Sequence, residues 1–540
     1  MSGTWRPSPR APQRPSFWPR LSTRPPNPSP PSPVRPDRRP QPTSRNVSDA
    51  IPTLRETPKL GVGAKLSYGV GSIAVGVSVL GLSATLLQPY LNRVIGLPAL
   101  WVGTAIMLTL MLDAVIDPAI GQWSDKLRTR WGRRHPLMYA SAPLIAVACI
   151  AFWNSPSDWP VTTTGIFVIS MLVLLRLCVS LYEIPSSALA PELTSDYHQR
   201  TSLFSYRFFF GVLGGLGMNV VLYQVFLSPA AGGILNKAGY ANFGILAAGV
   251  MALSILVSAM GTHRHIKDLY QPPVRKVPLR QVAKEIVGTI GNRSLIVVMI
   301  SGLCSGVSTG LSGALSQYFY IELWGVSAAS ISYISMAGVL ASVSGVIVAG
   351  PTSRRWGKKR AMLVLFTCSV LTSAIPLSLK LLNLAPTDSG MVLTLLLVDY
   401  FVATTLAIAG FIIISSMIAD VVEDAAVKTG VRSEGLLLAA NGLLPKFTGG
   451  IGVFLSGVLL TLVAFPTHAA AGTVDPDIMR RLALIFLPIN TGMSLLSILV
   501  LLPYKIDEDL HASNVATLEE AAATAERGRI EAARPVVDGA

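Results

Sequence analysis

Apolar stretches of about 20 residues recur along this chain, and no other feature restricts its fold so strongly. A helix needs roughly 20 such residues to cross the hydrocarbon core of a bilayer, where each backbone donor and acceptor must be satisfied within the protein. Of the 540 residues, 51% are hydrophobic and only 14% are charged, with a mean hydropathy of +0.53. That balance excludes a set of soluble domains and points to an all-α, polytopic membrane protein. The net charge of +15 does not indicate a nucleic-acid partner, because where the charge sits matters more than its sum. Cys149, Cys178, Cys304 and Cys368 all lie in apolar segments and read as small core residues, not as a disulfide framework.

The ends of the chain differ from its body. Residues 1–60 are dense in Pro, Arg and Ser, lack a continuous apolar region and cannot bury a core. They read as a disordered cytoplasmic tail, or as chain upstream of the natural start. Residues 505–540 are charged and Ala/Glu-rich, as in a short solvated helix on a second cytoplasmic tail.

Hydropathy places helices at roughly 64–92, 100–121, 137–154, 163–188, 203–227, 240–262, 294–321, 327–350, 361–382, 391–419, 435–465 and 478–503. Twelve spans leave both termini on one side. The loops around 122–136, 263–293 and 353–360 hold most of the membrane-proximal Lys and Arg, whereas NSPSDWPVTTT, LNLAPTDSG and FPTHAAAGTVDPD hold none. The positive-inside rule therefore puts the termini and the basic loops in the cytoplasm. The loop 263–293 separates a six-helix bundle at 61–262 from another at 294–504. WGRRHPLM after the second helix recurs as WGKKRAML after the eighth, a trace of duplication. Two parallel six-helix halves with a site between them near the midplane describe the major facilitator fold.

The basic loops have two readings, and both stand at this stage. One is topological anchoring on anionic lipid. The other is a gate, in which Asp125, Arg128, Arg130, Arg133 and Arg134, with Lys358 and Lys359 in the second copy, pair across the halves or with helix ends. Gly132 and Gly357 allow the tight turns.

Charges inside spans are costly and mark ion or substrate paths. Asp113 lies about 18 Å below Trp101 at 1.5 Å per residue, near the midplane, and Asp117 follows one turn deeper on the same face. Two carboxylates this close repel, so either one holds a proton or a cation sits between them. Arg176, Ser180 and Glu183 share one face of the fourth helix, before Pro185. Arg207 begins the fifth helix and Lys446 lies in the eleventh. Arg176 and Asp399 are candidates for an intramembrane pair, satisfied between helices. The six histidines (His135, His198, His263, His265, His468 and His511) fall in loops or tails, and His263 and His265, two apart in a basic loop, read as lipid-facing or solvated and not as metal ligands.

DAVIDPAIGQWSDKLRTRWGRRHP, EIPSSALAPELTSDYHQRTSLFSYR, SMIADVVEDAAVKTGVRSEGLL and SYGVGSIAVG stand in four different places of this order. Together they resemble the glycoside–pentoside–hexuronide:cation symporters, the melibiose-permease type, over about residues 60 to 505. The resemblance implies that Asp113 and Asp117 bind the coupling cation, with Ser180 and Glu183 in the same set. It implies that Glu183, Arg207 and Lys446 border the substrate. Three positions depart from the sugar-transporting pattern: Gly76 where a sugar-binding aspartate is expected, Ser187 where an aromatic stacks on sugar, and Ile116 in place of an asparagine oxygen. Losing an oxygen weakens sodium, a hard cation, more than it weakens a proton.

The expectation is a cation-coupled symporter, proton before sodium, that imports a sugar, glycoside or related polar solute by alternating access. A lysophospholipid or other amphiphile symporter of the same superfamily is the alternative, and a non-transporting sensor or scaffold a second. No enzyme and no cofactor beyond H+ or Na+ is expected, and no Walker A sequence is present. The expected partners are a small-molecule solute and membrane lipid, without nucleic acid, around a monomer in the plasma (inner) membrane.

Overall fold

The computed structural model describes residues 60–156, 158–194, 196–266, 293–429, 444–469, 472–503, 517 and 524. Among them are twelve helices long and apolar enough to cross a membrane. They are α1 (Val62–Gly81), α2 (Ala99–Lys126), α3 (His135–Trp153), α4 (Val161–Leu193), α5 (Gln199–Phe226), α6 (Lys237–His263), α7 (Ile296–Leu323), α8 (Ala328–Trp356), α9 (Lys358–Leu381), α10 (Ser389–Ile418), α11 (Leu444–Leu462) and α12 (Pro476–Val500). The two tails, save Leu60, Thr517 and Thr524, and most of the central loop lie outside the described residues.

Local chemistry sets the helix ends. Asp196, Ser327 and Asp475 side chains accept from backbone N–H groups at the starts of α5, α8 and α12, and Asn236 does so for α6. Gly132 (φ +76°) and Gly357 (φ +75°) turn the chain between α2 and α3 and between α8 and α9 in a backbone region open to glycine. The same turn thus recurs in the same place of each half, as WGRRHPLM and WGKKRAML predict.

Some boundaries move. α2 continues to Lys126, so Asp125 sits in its last turn and not in a loop. The helix that contains α10 extends as far as Thr429, well beyond the expected 419. The first expected stretch is broken: after α1 a second helix, Ala84–Pro89, leads into a π-turn, Tyr90–Val94. Cys368 is exposed, unlike the other three cysteines. His135, expected in a loop, instead opens α3. It is fully buried and lies 3.0 Å from the Thr262 hydroxyl.

Among the described residues the two halves make several of their contacts on the face away from the basic loops. Glycines let α2 and α11 approach: a Cβ on Gly457 would lie 2.5 Å from the Ala99 carbonyl. Gln224 of α5 donates to Ser332 of α8 at 2.7 Å, and Tyr318 of α7 donates to Asn92 at 3.0 Å. Arg93 and Glu322 form an ion pair at 2.7 Å, with side chains 1% and 0% exposed. Both occupy the fourth position of a π-turn, YLNRV after α1 and FYIEL at the end of α7, so the pair joins equivalent points of the two halves. Arg93 also donates to the Ala469 carbonyl, and Glu322 accepts from Gly472 N–H.

Removing one member of a fully buried pair strands the other charge, at a cost of about 3–5 kcal/mol. Arg93→Met should therefore lower the thermal midpoint of the purified protein markedly. Arg93→Met with Glu322→Leu should recover most of that loss, and a double variant no more stable than the single one would contradict the pairing.

Candidate functional site

α2 carries Asp113 and Asp117 one turn apart, and each meets a different cation. Arg176 of α4 donates to Asp113 at 3.2 Å and to the Leu82 carbonyl at 2.6 Å. That carbonyl lies at the break after α1, where the helix ladder is interrupted, so the guanidinium serves a carboxylate and a freed backbone acceptor together. Asp113 is 6% exposed. Lys446 of α11 donates to Asp117 across the two halves, and the other Asp117 oxygen is buried without a hydrogen-bond partner.

The expected pairing of Arg176 with Asp399 does not occur. Arg176 is taken by Asp113 in its own half, and one carboxylate oxygen of Asp399 on α10 is buried without a partner. The sequence does not show that the break after α1 brings Leu82 to Arg176.

Glu183 and Arg207 line one cavity of 610 Å³ between α1, α5 and α8, together with Gly76 and the rings of Phe204 and Phe208. Arg207 donates to the Ser186 hydroxyl at 3.0 Å and to the Tyr68 hydroxyl at 3.3 Å; Tyr68 in turn donates to the Ser186 carbonyl at 3.0 Å. Tyr68 and Ser186 thus hold the guanidinium in place, a role that sequence reasoning missed; a tyrosine inside a glycine-rich span was the available signal. Glu183 lies within Coulombic reach of Arg207, Lys446, Asp117 and Arg176, so the charges of both halves converge on it. Ser180 is buried one turn along α4 from it.

A second cavity, of 420 Å³, lies in the carboxy-terminal half. It is lined by residues at the basic-face ends of α7, α10 and α11, among them Val298, Ile418 and Pro445, and reaches across to Leu110 of α2.

Gly76 and Ser187 differ in what they contribute. A Cβ at Gly76 would stand 1.9 Å from the Gly211 carbonyl, so α1 and α5 cross there and no side chain fits. Gly76 borders the cavity only as backbone. Ser187 donates to the Ile184 carbonyl at 2.8 Å on its own helix and does not line either of these two cavities.

The expected gating residues form pairs, and among the described residues these lie within a half. Arg134 meets Asp125 at 2.5 Å and Glu192, at the end of α4, at 2.9 Å; Arg133 lies 3.0 Å from Glu192. In the other half Lys358 meets Asp420 at 2.8 Å and Lys359 donates to the Leu502 carbonyl at 2.6 Å. Arg133 and Lys358 are equivalent in the repeat, and both bind an acid near the basic-face end of the fourth helix of their half. The contacts present are thus with helix ends, the second of the two expected arrangements. Arg128 is exposed, and Arg130 stacks on Trp131 with its guanidinium 5.4 Å from the ring centre.

Two six-helix halves around a charged midplane define a major facilitator transporter. The chain belongs to the MFS/sugar transport protein family, whose model matches residues 67–508; it is a transporter of the sugar/cation symporter type and not an enzyme. An uncharacterized symporter of Synechocystis sp. is 26% identical over 75% of this chain and 87% of its own. The isoprimeverose transporter of Lactiplantibacillus pentosus is 22% identical over 84% of this chain and 91% of its own. In fold, the chain resembles the inward-open xylose transporter XylE from E. coli, with a TM-score of 0.54 and 15% identity over 83% of this chain and 98% of that one.

Adding a methyl group where α1 and α5 touch costs about 1–3 kcal/mol. Gly76→Ala should lower the thermal midpoint accordingly, while Ser187→Ala should leave both the midpoint and uptake within error of the natural protein. Loss of uptake in Ser187→Ala would place that residue in the site.

Proposed function

We propose that this protein is a proton-coupled symporter that carries a sugar, glycoside or related polar solute across the plasma membrane, with its termini and basic loops in the cytoplasm. The observation that carries the reading is the Lys446–Asp117 hydrogen bond between the halves. A coupling cation and the Lys446 ammonium compete for one carboxylate. Loading Asp117 with a proton removes the charge that holds Lys446, weakens the tie between α2 and α11, and frees the halves to rock.

Two features favour a proton over sodium. Arg176 already neutralises Asp113, so that carboxylate is not free for a metal ion. Ile116 offers no oxygen between the aspartates, and sodium, as a hard cation, needs several oxygens at once. Asp117 is therefore the carboxylate that exchanges its cation, and Asp113 sustains the charge balance of α4 and the broken α1.

A second reading is favoured by one observation. Apart from Glu183, Arg207 and Ser72, apolar side chains and glycines line the cavity between α1, α5 and α8, which suits an amphiphile with a charged head.

Uptake into proteoliposomes across a pH gradient, with and without sodium, tests the coupling. Uptake should follow the pH gradient, collapse with a protonophore and persist without sodium, and Asp117→Asn should abolish accumulation while leaving downhill exchange. A strict sodium requirement that ignores the pH gradient would refute proton coupling.

A further inference from the structure

Apart from the charged Glu183 and Arg207 and the Ser72 hydroxyl, the cavity of the amino-terminal half is lined by apolar side chains and glycines. Neutral polar groups that could add specificity for an uncharged solute lie elsewhere. Between α7, α9, α10 and α12, near the middle of their lengths, lies a chamber of 160 Å³. At a water's share of about 30 Å³ it holds about five waters, or a polar group of similar bulk.

Ser308 of α7, Ser369 of α9 and Ser494 of α12 line it, with the Asn490 carboxamide. Among the described residues no Asp, Glu, Lys, Arg or His is in its wall. The hydroxyls are held in place: Ser308 bonds Asn490 Oδ1 at 2.8 Å and Ser494 at 2.7 Å, and Ser369 donates to the Ala403 carbonyl at 2.8 Å. A hydroxyl that donates one bond keeps acceptor capacity, and a carboxamide brings two donors. The wall can therefore both accept from and donate to O–H groups.

Small residues at helix contacts normally let backbones close on each other. Here they leave space instead, and polar surface left dry in a membrane is costly.

The chamber adjoins the 420 Å³ cavity, since Ser305, Thr309, Ser497, Phe366 and Phe411 line both. Phe366 and Phe411 meet edge to face, with centroids 5.3 Å apart, and so provide an apolar edge where the two spaces join. The cavity itself reaches Pro445, next to Lys446.

We propose that this chamber is a substrate subsite for a neutral, hydroxyl-rich group, the ring of a sugar or glycoside, recognised by the carboxy-terminal half. The uncharged wall selects against a carboxylate or sulfonate, and the hydroxyls against an acyl chain. The inference rests on the transport reading above and adds to it the part of the solute that is recognised and the half that recognises it.

Binding to the purified protein tests it, with methyl glucoside, methyl galactoside, methyl xyloside, lactose, glucuronate and lysophosphatidylcholine as probes. At least one neutral sugar should bind. Ser494→Thr and Ser308→Thr keep the hydroxyl and should hold affinity for that sugar within about threefold, whereas Ser494→Val and Ser308→Val, of the same shape as Thr but without the hydroxyl, should weaken it at least tenfold. Because Thr and Val fill nearly the same volume, a packing role would move both variants equally; a Val variant whose thermal midpoint falls together with its affinity would show that the Ser308, Ser494 and Asn490 bonds only hold the wall together, and would overturn the subsite. Equal affinities in the Thr and Val variants would overturn the subsite and leave coupled transport standing, since Asp117→Asn tests that separately. Binding of glucuronate or the lysolipid without any neutral sugar, or of none of the probes, would overturn the assigned ligand class; proton-driven uptake is measured independently of it.

Discussion

A charge that cannot reach water must find a partner, and the buried ionic groups of this protein are arranged by that demand. Arg176 holds Asp113 and a carbonyl released by the break after α1. Arg93 holds Glu322 where the two halves close. Lys446 reaches from one half to Asp117 in the other. The first pair lies within a half and can persist through a rocking motion. The other two span the halves, so any change in the relative position of the bundles must remake them. The division between static and exchangeable pairs is thus set by which helices carry the partners.

Duplication explains why these pairs fall where they do. Equivalent glycines turn the chain after α2 and after α8, and the next basic residue in each copy, Arg133 or Lys358, meets an acid near the end of the fourth helix of its half. These contacts tie helices within one bundle. Rigid halves are what alternating access requires, since a cavity that opened by bending within a half would not move α2 relative to α11. The Arg93–Glu322 pair uses the same symmetry in another way. Two equivalent π-turns meet across the interface, and opposite charges at the same ordinal position turn a repeated element into a self-complementary contact.

Much of this was legible in the sequence. The span pattern follows from hydropathy, and the midplane position of Asp113 and Asp117 follows from helix rise alone. The partners were less legible, because a pair between helices depends on azimuth and on distortions that no periodicity encodes. Arg176 was expected to seek Asp399; the break at Leu82 instead offered it a carbonyl beside Asp113. Gly76 was noticed as a missing aspartate, whereas its cause is the closeness of Gly211 on α5. His135 stood next to a charged loop in the sequence, yet its ring is buried against Thr262. The serines of α7, α9 and α12 carried no signal singly, since hydroxyls are common in packed membrane helices. Only their convergence on one open space distinguishes them.

The strength of the Lys446–Asp117 tie bears on why transport is coupled at all. Its side chains are 34% and 18% exposed, so water screens the pair more than it screens Arg93–Glu322. Partly exposed pairs contribute on the order of 1 kcal/mol, while driving a two-state equilibrium from 1:99 to 99:1 takes about 5.5 kcal/mol. Neutralising Asp117 alone therefore falls well short of reversing the preference of the two halves, and the remainder must come from contacts made with the solute. A protein in which either ligand sufficed would leak, the cation passing without solute or the solute without cation. A cross-half pair that a coupling cation can displace, but that is too weak to govern the halves by itself, would under the proposed mechanism make joint occupancy the condition for movement.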